Sequence, residues 1–201
     1  NLSNLDFKCT EKISFFSPIW SDTGDLFVSE DSSGWWNITK IKTDNNNNLI
    51  SITQNQWPLE ADMGFPQWIL GMSSFSCVGD EVVGIFAQEG IWNLAVLQKN
   101  GSIQIIDQPF IDFSGLCINQ NRLVAIASSA EIGEGIFEID MLSKRWDHTP
   151  AAIFRLTPQQ ISRGESFWFI GANEQNVHAW YYPPLNEHPL PPPLLVTSHS
   201  G

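Results

Sequence analysis

Apolar positions along the chain come in short runs separated by small polar residues. Asp25–Glu30 (DLFVSE), Glu81–Ala87 (EVVGIFA), Ile91–Leu97 (IWNLAVL) and Arg122–Ser128 (RLVAIAS) each span six or seven residues. They are rich in β-branched and aromatic residues and are punctuated by Gly, Asp, Asn and Ser, which predicts strands. Almost no stretch places apolar residues at the spacings of three and four that a helix requires. Asp44–Asn48 (DNNNN) separates two such runs and reads as a turn, because Asn tolerates left-handed backbone.

The strands also repeat. Pro18-Ile19-Trp20 recurs as Pro66-Gln67-Trp68, and Trp36-Asn37 recurs as Trp92-Asn93. A bulky aromatic continues in the corresponding third strand as Phe137, with Trp180 as a further candidate, at successive intervals of 56, 45 and 43 residues. Units of about 40–50 residues with four short strands each are the signature of β-propeller blades, which bury their faces by stacking around an axis. Blades are expected over residues 13–54, 62–107 and 111–149, with the tail of an earlier blade before residue 13. The competing architecture is an open β-sandwich in which the Trp recurrence is accidental. Three blades do not close a ring, since propellers use about four to eight. Blades are therefore expected to be missing at the amino end, in keeping with Asn1 in place of an initiator methionine.

After Leu156-Thr157-Pro158 the pattern changes. A strand (Glu165–Ile170), a polar turn (Gly171–Asn176) and a second strand (Val177–Tyr182) lead into a connector with prolines at 183, 184, 189, 191, 192 and 193. Proline fixes φ and has no N–H, so this connector cannot be helical. Pro193–Ser198 reads as a third strand, and its consecutive Leu194-Leu195-Val196 suits a strand covered on both faces, unlike the alternating blade strands. The division predicts a partial propeller over 1–156 and the opening strands of a different, α/β domain over 157–201.

Composition narrows the function. The net charge of −12, with ten Lys and Arg scattered along 201 residues, argues against binding a phosphate backbone. Cys9, Cys77 and Cys117 are odd in number and far apart, so neither a disulfide framework nor zinc spacing follows, and they read as free thiols of a reducing compartment. No apolar run approaches the roughly 18 residues of a membrane helix, and no basic-then-apolar leader opens the sequence. A cytoplasmic location without membrane or nucleic-acid partners is expected. The Asn-x-Ser/Thr triplets at Asn1, Asn37 and Asn100 imply nothing without a secretory route.

Four segments carry a specific resemblance: Ser17–Ile41 (SPIWSDTGDLFVSEDSSGWWNITKI), Phe65–Cys77 (FPQWILGMSSFSC), Val177–Asn186 (VHAWYYPPLN) and Pro192–Gly201 (PPLLVTSHSG). In this order the chain resembles the prolyl oligopeptidase family of serine peptidases, and within it the dipeptidyl-aminopeptidase and acylaminoacyl-peptidase branch. The resemblance covers essentially all 201 residues. It implies a β-propeller capping an α/β-hydrolase domain, short peptides as substrates and no cofactor. The family's strand ends in His-Gly-Gly-Pro beside the oxyanion hole, and His199-Ser200-Gly201 matches that turn with Ser in place of the first Gly. Ser200 carries a Cβ, which predicts negative φ there. Such turns serve acyl transfer because fixed N–H donors stabilise the charge that develops on the carbonyl oxygen.

The remaining machinery is not in the chain. A nucleophile elbow reads Gly-x-Ser-x-Gly, and no such pentad occurs. The nearest sequence, Gly164-Glu165-Ser166-Phe167-Trp168, ends on Trp and enters a strand, so Ser166 reads as structural. In this fold the order is Ser, Asp, His after the oxyanion strand, which places the triad beyond Gly201. His148 reads as a solvated inter-blade residue, His178 as a packed or edge position on a strand, and His188 as exposed in the connector. None pairs with His, Cys or a carboxylate at metal-ligand spacing. His199 is assigned to shaping the oxyanion turn, since a base needs a nucleophile within reach. Glu60 and Asp62 read as an acidic inter-blade loop in preference to a seat for a substrate's amino terminus. The sequence thus points to a piece of a serine peptidase that is inactive by itself. Two alternatives stay open: a non-catalytic propeller scaffold, and an esterase on the same fold.

Overall fold

The computed structural model describes residues 13–44, 49–53, 57–66, 68–79, 81–153, 155–186 and 189–198. The chain forms two compact units, Asn1–Ile153 and Phe154–Gly201. Most of the expected turn at Asp44–Asn48 lies outside the described residues, as do Cys9, His188 and the Asn1 triplet.

The first unit contains three antiparallel four-stranded sheets. Sheet 1 is β1 (Phe15–Trp20), β2 (Asp25–Glu30), β3 (Asn37–Thr43) and β4 (Leu49–Thr53). Sheet 2 is β5 (Phe75–Val78), β6 (Glu81–Gln88), β7 (Ile91–Leu97) and β8 (Ile103–Ile105). Sheet 3 is β9 (Asp112–Asn119), β10 (Arg122–Ser128), β11 (Gly135–Asp140) and β12 (Trp146–Pro150). Each is a simple meander with its strands in chain order, the strand order of a propeller blade. All four runs read as strands from the sequence are strands here.

The sheets stack through two apolar clusters that share sheet 2. Alternation along β6 sends Val82 and Phe86 to one face and Val83 and Ile85 to the other. On β7, Ala95 and Leu97 join the first set, Leu94 and Val96 the second. The first face packs with Phe27 and Ile38 of sheet 1 and with Trp57 and Met63. The second packs with Phe113, Leu116, Leu123, Phe137 and Ile139 of sheet 3. Each fully buried aliphatic or aromatic side chain contributes about 1.5–3 kcal/mol, so these interfaces account for the face-to-face stacking.

The repeat holds in part. Trp36-Asn37 stands at the start of β3, Trp92-Asn93 near the start of β7 and Phe137 in β11, three successive third strands. Trp180 breaks the series, because it belongs to the second strand of a two-stranded sheet. Pro66 and Trp68 are not the counterpart of Pro18 and Trp20. Pro18 lies within β1, where Ser17 at φ 52 and the missing proline donor coincide with a bulge. Pro66 and Trp68 lie on a loop, and sheet 2 opens only at Phe75, later than the expected 62. Between Trp57 and Ser74 the ladder is reduced to one bridge, Asp62 to Ala87. Pro58, Pro66 and a left-handed Gly71 (φ 81) prevent a continuous strand there.

The second unit is built on β13 (Glu165–Ile170) and β14 (Asn176–Tyr181), paired antiparallel across a 3-10 turn at Ala172–Glu174. This is the hairpin read from the sequence. Cross-strand register places Ser166, Trp168, His178 and Trp180 on one face, and Phe167, Phe169, Val177 and Ala179 on the other. Gly164 lies beneath the first face, where a Cβ would come within 2.9 Å of the Trp180 ring and force that ring to shift. The third strand expected over Pro193–Ser198 is not formed. Residues 191–198 pair with no other strand, and Leu194, Leu195 and Val196 are 75–86% exposed. An apolar run becomes a strand only where a neighbouring edge accepts its backbone hydrogen bonds. The described residues are all-β apart from two three-residue 3-10 turns.

Candidate functional site

The expected oxyanion turn, His199-Ser200-Gly201, lies outside the described residues. Among those described, the side chains with catalytic chemistry are distributed over three places: the hairpin and the two opposite edges of the three stacked sheets.

On the hairpin, Ser166 Oγ and His178 Nε2 are 2.8 Å apart. Sequence reasoning assigned both residues to structure and did not pair them. The register could have found them, because Trp168 faces His178 and Ser166 is the next residue on the same face. The imidazole sits beside Trp168 (ring centroids 5.0 Å) and Trp180 (5.6 Å). A hydroxyl within reach of an imidazole is one half of an activated nucleophile. The other half is absent among the described residues: no carboxylate hydrogen-bonds His178 Nδ1, and Ser166 is in mid-strand rather than at a strand-to-helix elbow. The pair links β13 to β14 on the face that carries Trp168 and Trp180.

His148 differs from its sequence reading. It belongs to β12, opposite Phe137, with its ring 4.8 Å from that of Phe110 and Nε2 buried without a partner. It is a wall of the core rather than a solvated turn residue. Among the described residues no three His, Cys, Asp or Glu side chains converge as metal ligands.

Within each meander the β2–β3 type of turn, the entry to the first strand and the exit from the fourth fall on one edge. Hydrogen bonds trace this exit edge through the unit. Met63 N–H donates to Trp36 O (2.7 Å), Trp92 N–H to Ile111 O (3.0 Å), and Ala151 N–H to Glu134 O (2.9 Å). Glu60 and Asp62 lie here. Asp62 is a structural residue, with Oδ1 accepting from Trp36 N–H at 3.1 Å and its backbone bridging Ala87. Glu60 is exposed. Residues 30–36, 57–74, 88–91, 106–112 and 129–134 lie on this edge and contain carboxylates but no Lys or Arg, whereas in the sequence Lys12 comes just before β1 and Arg155 just after β12. The sequence lists these charges, but only the topology gathers them.

The opposite edge carries a cleft of about 400 Å³. Asp22 from the β1–β2 turn, Cys77 to Gly79 from β5 and its turn, and Ile118 to Asn121 from the β9–β10 turn line it. Burial, and secondarily the Asp22 carboxylate, push the Cys77 thiol up to about 11, so it is not a thiolate nucleophile at neutral pH. This edge is of mixed charge, with Lys99, Arg122, Lys144 and Arg145 near its turns.

The chain resembles known proteins in its fold. No family model and no curated protein matches it. Solved structures do. A puromycin hydrolase superposes with a TM-score of 0.75 at 20% identity, over 86% of this chain and 26% of that one. A puromycin-hydrolyzing peptidase of Mycobacterium tuberculosis gives 0.73 at 22%, with the same coverage. Prolyl oligopeptidase B from Galerina marginata gives 0.59 at 10%, over 83% of this chain and 23% of that one. This chain has the fold of these peptidases. The resemblance to the prolyl oligopeptidase family drawn from the sequence is borne out at the level of fold. The chain spans about a quarter of the length of each of these structures. No helix among the described residues is long and apolar enough to cross a membrane.

Proposed function

We propose that this chain is part of a serine peptidase of the prolyl oligopeptidase family that hydrolyses short peptides. The three stacked meanders are blades of its propeller. The hairpin of β13 and β14 and the segment to Gly201 open its α/β-hydrolase domain. The observation that carries this reading is the superposition of 86% of the chain on a puromycin hydrolase. In the intact protein a Ser-His-Asp triad outside residues 1–201 attacks the scissile carbonyl and forms an acyl-enzyme. His199, Ser200 and Gly201 shape the loop beside the oxyanion hole, where backbone N–H groups stabilise the developing charge. The propeller admits oligopeptides and excludes folded proteins, and the enzyme works in the cytoplasm.

The test compares two proteins. The full-length product of the reading frame hydrolyses peptide p-nitroanilides and is labelled by a fluorophosphonate. Residues 1–201 alone do neither, despite the Ser166–His178 contact. Burst release of nitroaniline by residues 1–201 overturns the placement of the triad. Inertness of the full-length protein toward both reagents overturns the peptidase reading.

A further inference from the structure

The turn between β7 and β8 carries chemistry that neither the fold nor the proposed hydrolysis uses. Lys99, Asn100 and Gly101 form a three-residue hairpin loop. It is closed by Gly101 N–H donating to Gln98 O at 2.9 Å and Gln98 N–H donating to Ser102 O at 2.8 Å. Such a loop needs its last residue in the left-handed region, and Gly101 supplies it at φ 86. The glycine that the turn requires thus follows an asparagine. Asn100 is the only asparagine in the sequence with glycine after it.

That pairing is reactive. The side-chain carbonyl carbon of an asparagine and the next backbone nitrogen can close a five-membered ring. A Cβ on the following residue crowds that approach, and glycine has none. Asn100 is exposed, so water and base reach it. Its carbonyl is also held in place. Ser102 N–H donates to Asn100 Oδ1 at 2.9 Å, and Ser102 Oγ lies 2.7 Å from that oxygen and from Gln98 Oε1. Donors fixed on a carbonyl oxygen stabilise the negative charge that develops when a nucleophile adds to its carbon.

We propose that Asn100 is a site of spontaneous covalent modification, deamidation through a cyclic imide. Gly101 N gives its proton to solvent base and bonds to Asn100 Cγ. The Cγ–Nδ2 bond breaks, and the amide nitrogen takes up a proton and leaves as ammonia. Water then adds to either carbonyl of the ring. Cleavage of the Cγ–N bond gives aspartate, and cleavage of the C–N bond gives isoaspartate, whose backbone runs through Cγ and is one carbon longer. Water is the sole co-reactant, and nothing is oxidised or reduced.

The modification falls on the fastening of an edge strand. Gln98 O, which accepts from Gly101, also accepts from Nε1–H of the buried Trp57 at 2.7 Å. β8 has three residues and pairs only with β7. A turn lengthened by one backbone atom puts its two closing bonds out of register, so β8 loosens from sheet 2, and the new carboxylate adds one negative charge.

The experiment incubates the full-length protein at pH 8 and digests samples at intervals. Mass spectrometry finds amide converted to acid at Asn100 before any other asparagine, and an isoaspartate methyltransferase labels the same peptide. Native isoelectric focusing shows the matching acidic shift. Hydrogen exchange over Ile103–Ile105 becomes about tenfold faster in the converted protein, the scale of one lost hydrogen bond. Asn100→Gln keeps an amide but places its carbon one bond further away, so it stays unconverted and retains slow exchange. Ser102→Ala slows conversion of the folded protein and leaves the rate in urea unchanged, which separates the held carbonyl from the bare dipeptide. Prior conversion of another asparagine overturns the proposal. So does an intact Asn100 after the protein in urea is half converted, or conversion that leaves exchange in β8 unchanged. Equal folded rates for Ser102→Ala and the parent overturn the part given to the held carbonyl.

Discussion

Sheets 2 and 3 are the same four-stranded meander, yet they are buried differently. In β6 the five residues from Val82 to Phe86 are all buried, because sheet 1 covers one face and sheet 3 the other. In β10 burial alternates: Leu123, Ala125 and Ala127 are inside, whereas Ile126 is 40% exposed. The two strands look alike in sequence, EVVGIFAQ and RLVAIAS, each a nearly continuous apolar run. Coverage is therefore decided by position in the stack, and the apolar content of a strand does not by itself report how many of its faces are covered.

The largest effect that follows is a contrast between two isoleucines. Ile85→Ala in sheet 2 removes a fully buried side chain from the interface with sheet 3 and costs about 2–5 kcal/mol. Ile126→Ala on the open face of sheet 3 costs less than about 1 kcal/mol, since the site is already wet and leaves no cavity. Urea unfolding followed by Trp fluorescence measures both. Equal losses at the two sites would mean that the open face of sheet 3 is covered in solution.

A smaller effect tests how sheet 1 is tied to the connection that follows it. Asn37 is fully buried, and its side chain is shared among three backbone groups. Its Nδ2 donates to Leu59 O and Ala61 O, both at 3.1 Å, and its Oδ1 accepts from Leu59 N–H at 3.0 Å. Asn37→Ala leaves these groups short of partners and costs about 1–3 kcal/mol. A loss near that of Ile126→Ala would show that water replaces the amide. The same burial excludes Asn37 as an acceptor of N-linked glycan, although its triplet fits the pattern.

These contrasts bear on what the sequence disclosed. The three meanders, the Trp-Asn repeat and the hairpin were legible because strand period, turn residues and third-strand aromatics are local signals. The start of sheet 2 was missed because Pro66 and Trp68 copy the residue types of β1 without its ladder. The contrast drawn between alternating blade strands and a flat apolar Leu194–Val196 fails on both sides. Sheet 2 has continuously buried strands, and Leu194–Val196 is exposed and unpaired. The Ser166–His178 contact and the acidic exit edge are products of register and topology, so single residue types could not announce them.

The smallest effect concerns two thiols that the same comparison separates. Cys77 on β5 is partly buried beside Asp22, and Cys117 is exposed on β9 of sheet 3. With Cys9 replaced by serine throughout, a disulfide reagent at pH 8 modifies Cys117 first, and Cys77 follows only under more alkaline conditions or on unfolding. The sign of the accompanying stability change is fixed. The folded Cys77 thiol titrates near 11, above the 9.0 of an unperturbed thiol, so the unfolded chain gives up its proton first. The stabilisation is complete below about pH 9 and declines as pH rises toward about 11. Cys77→Ala flattens that part of the alkaline unfolding profile. An equally steep profile after Cys77→Ala would place the responsible group elsewhere in the sheets.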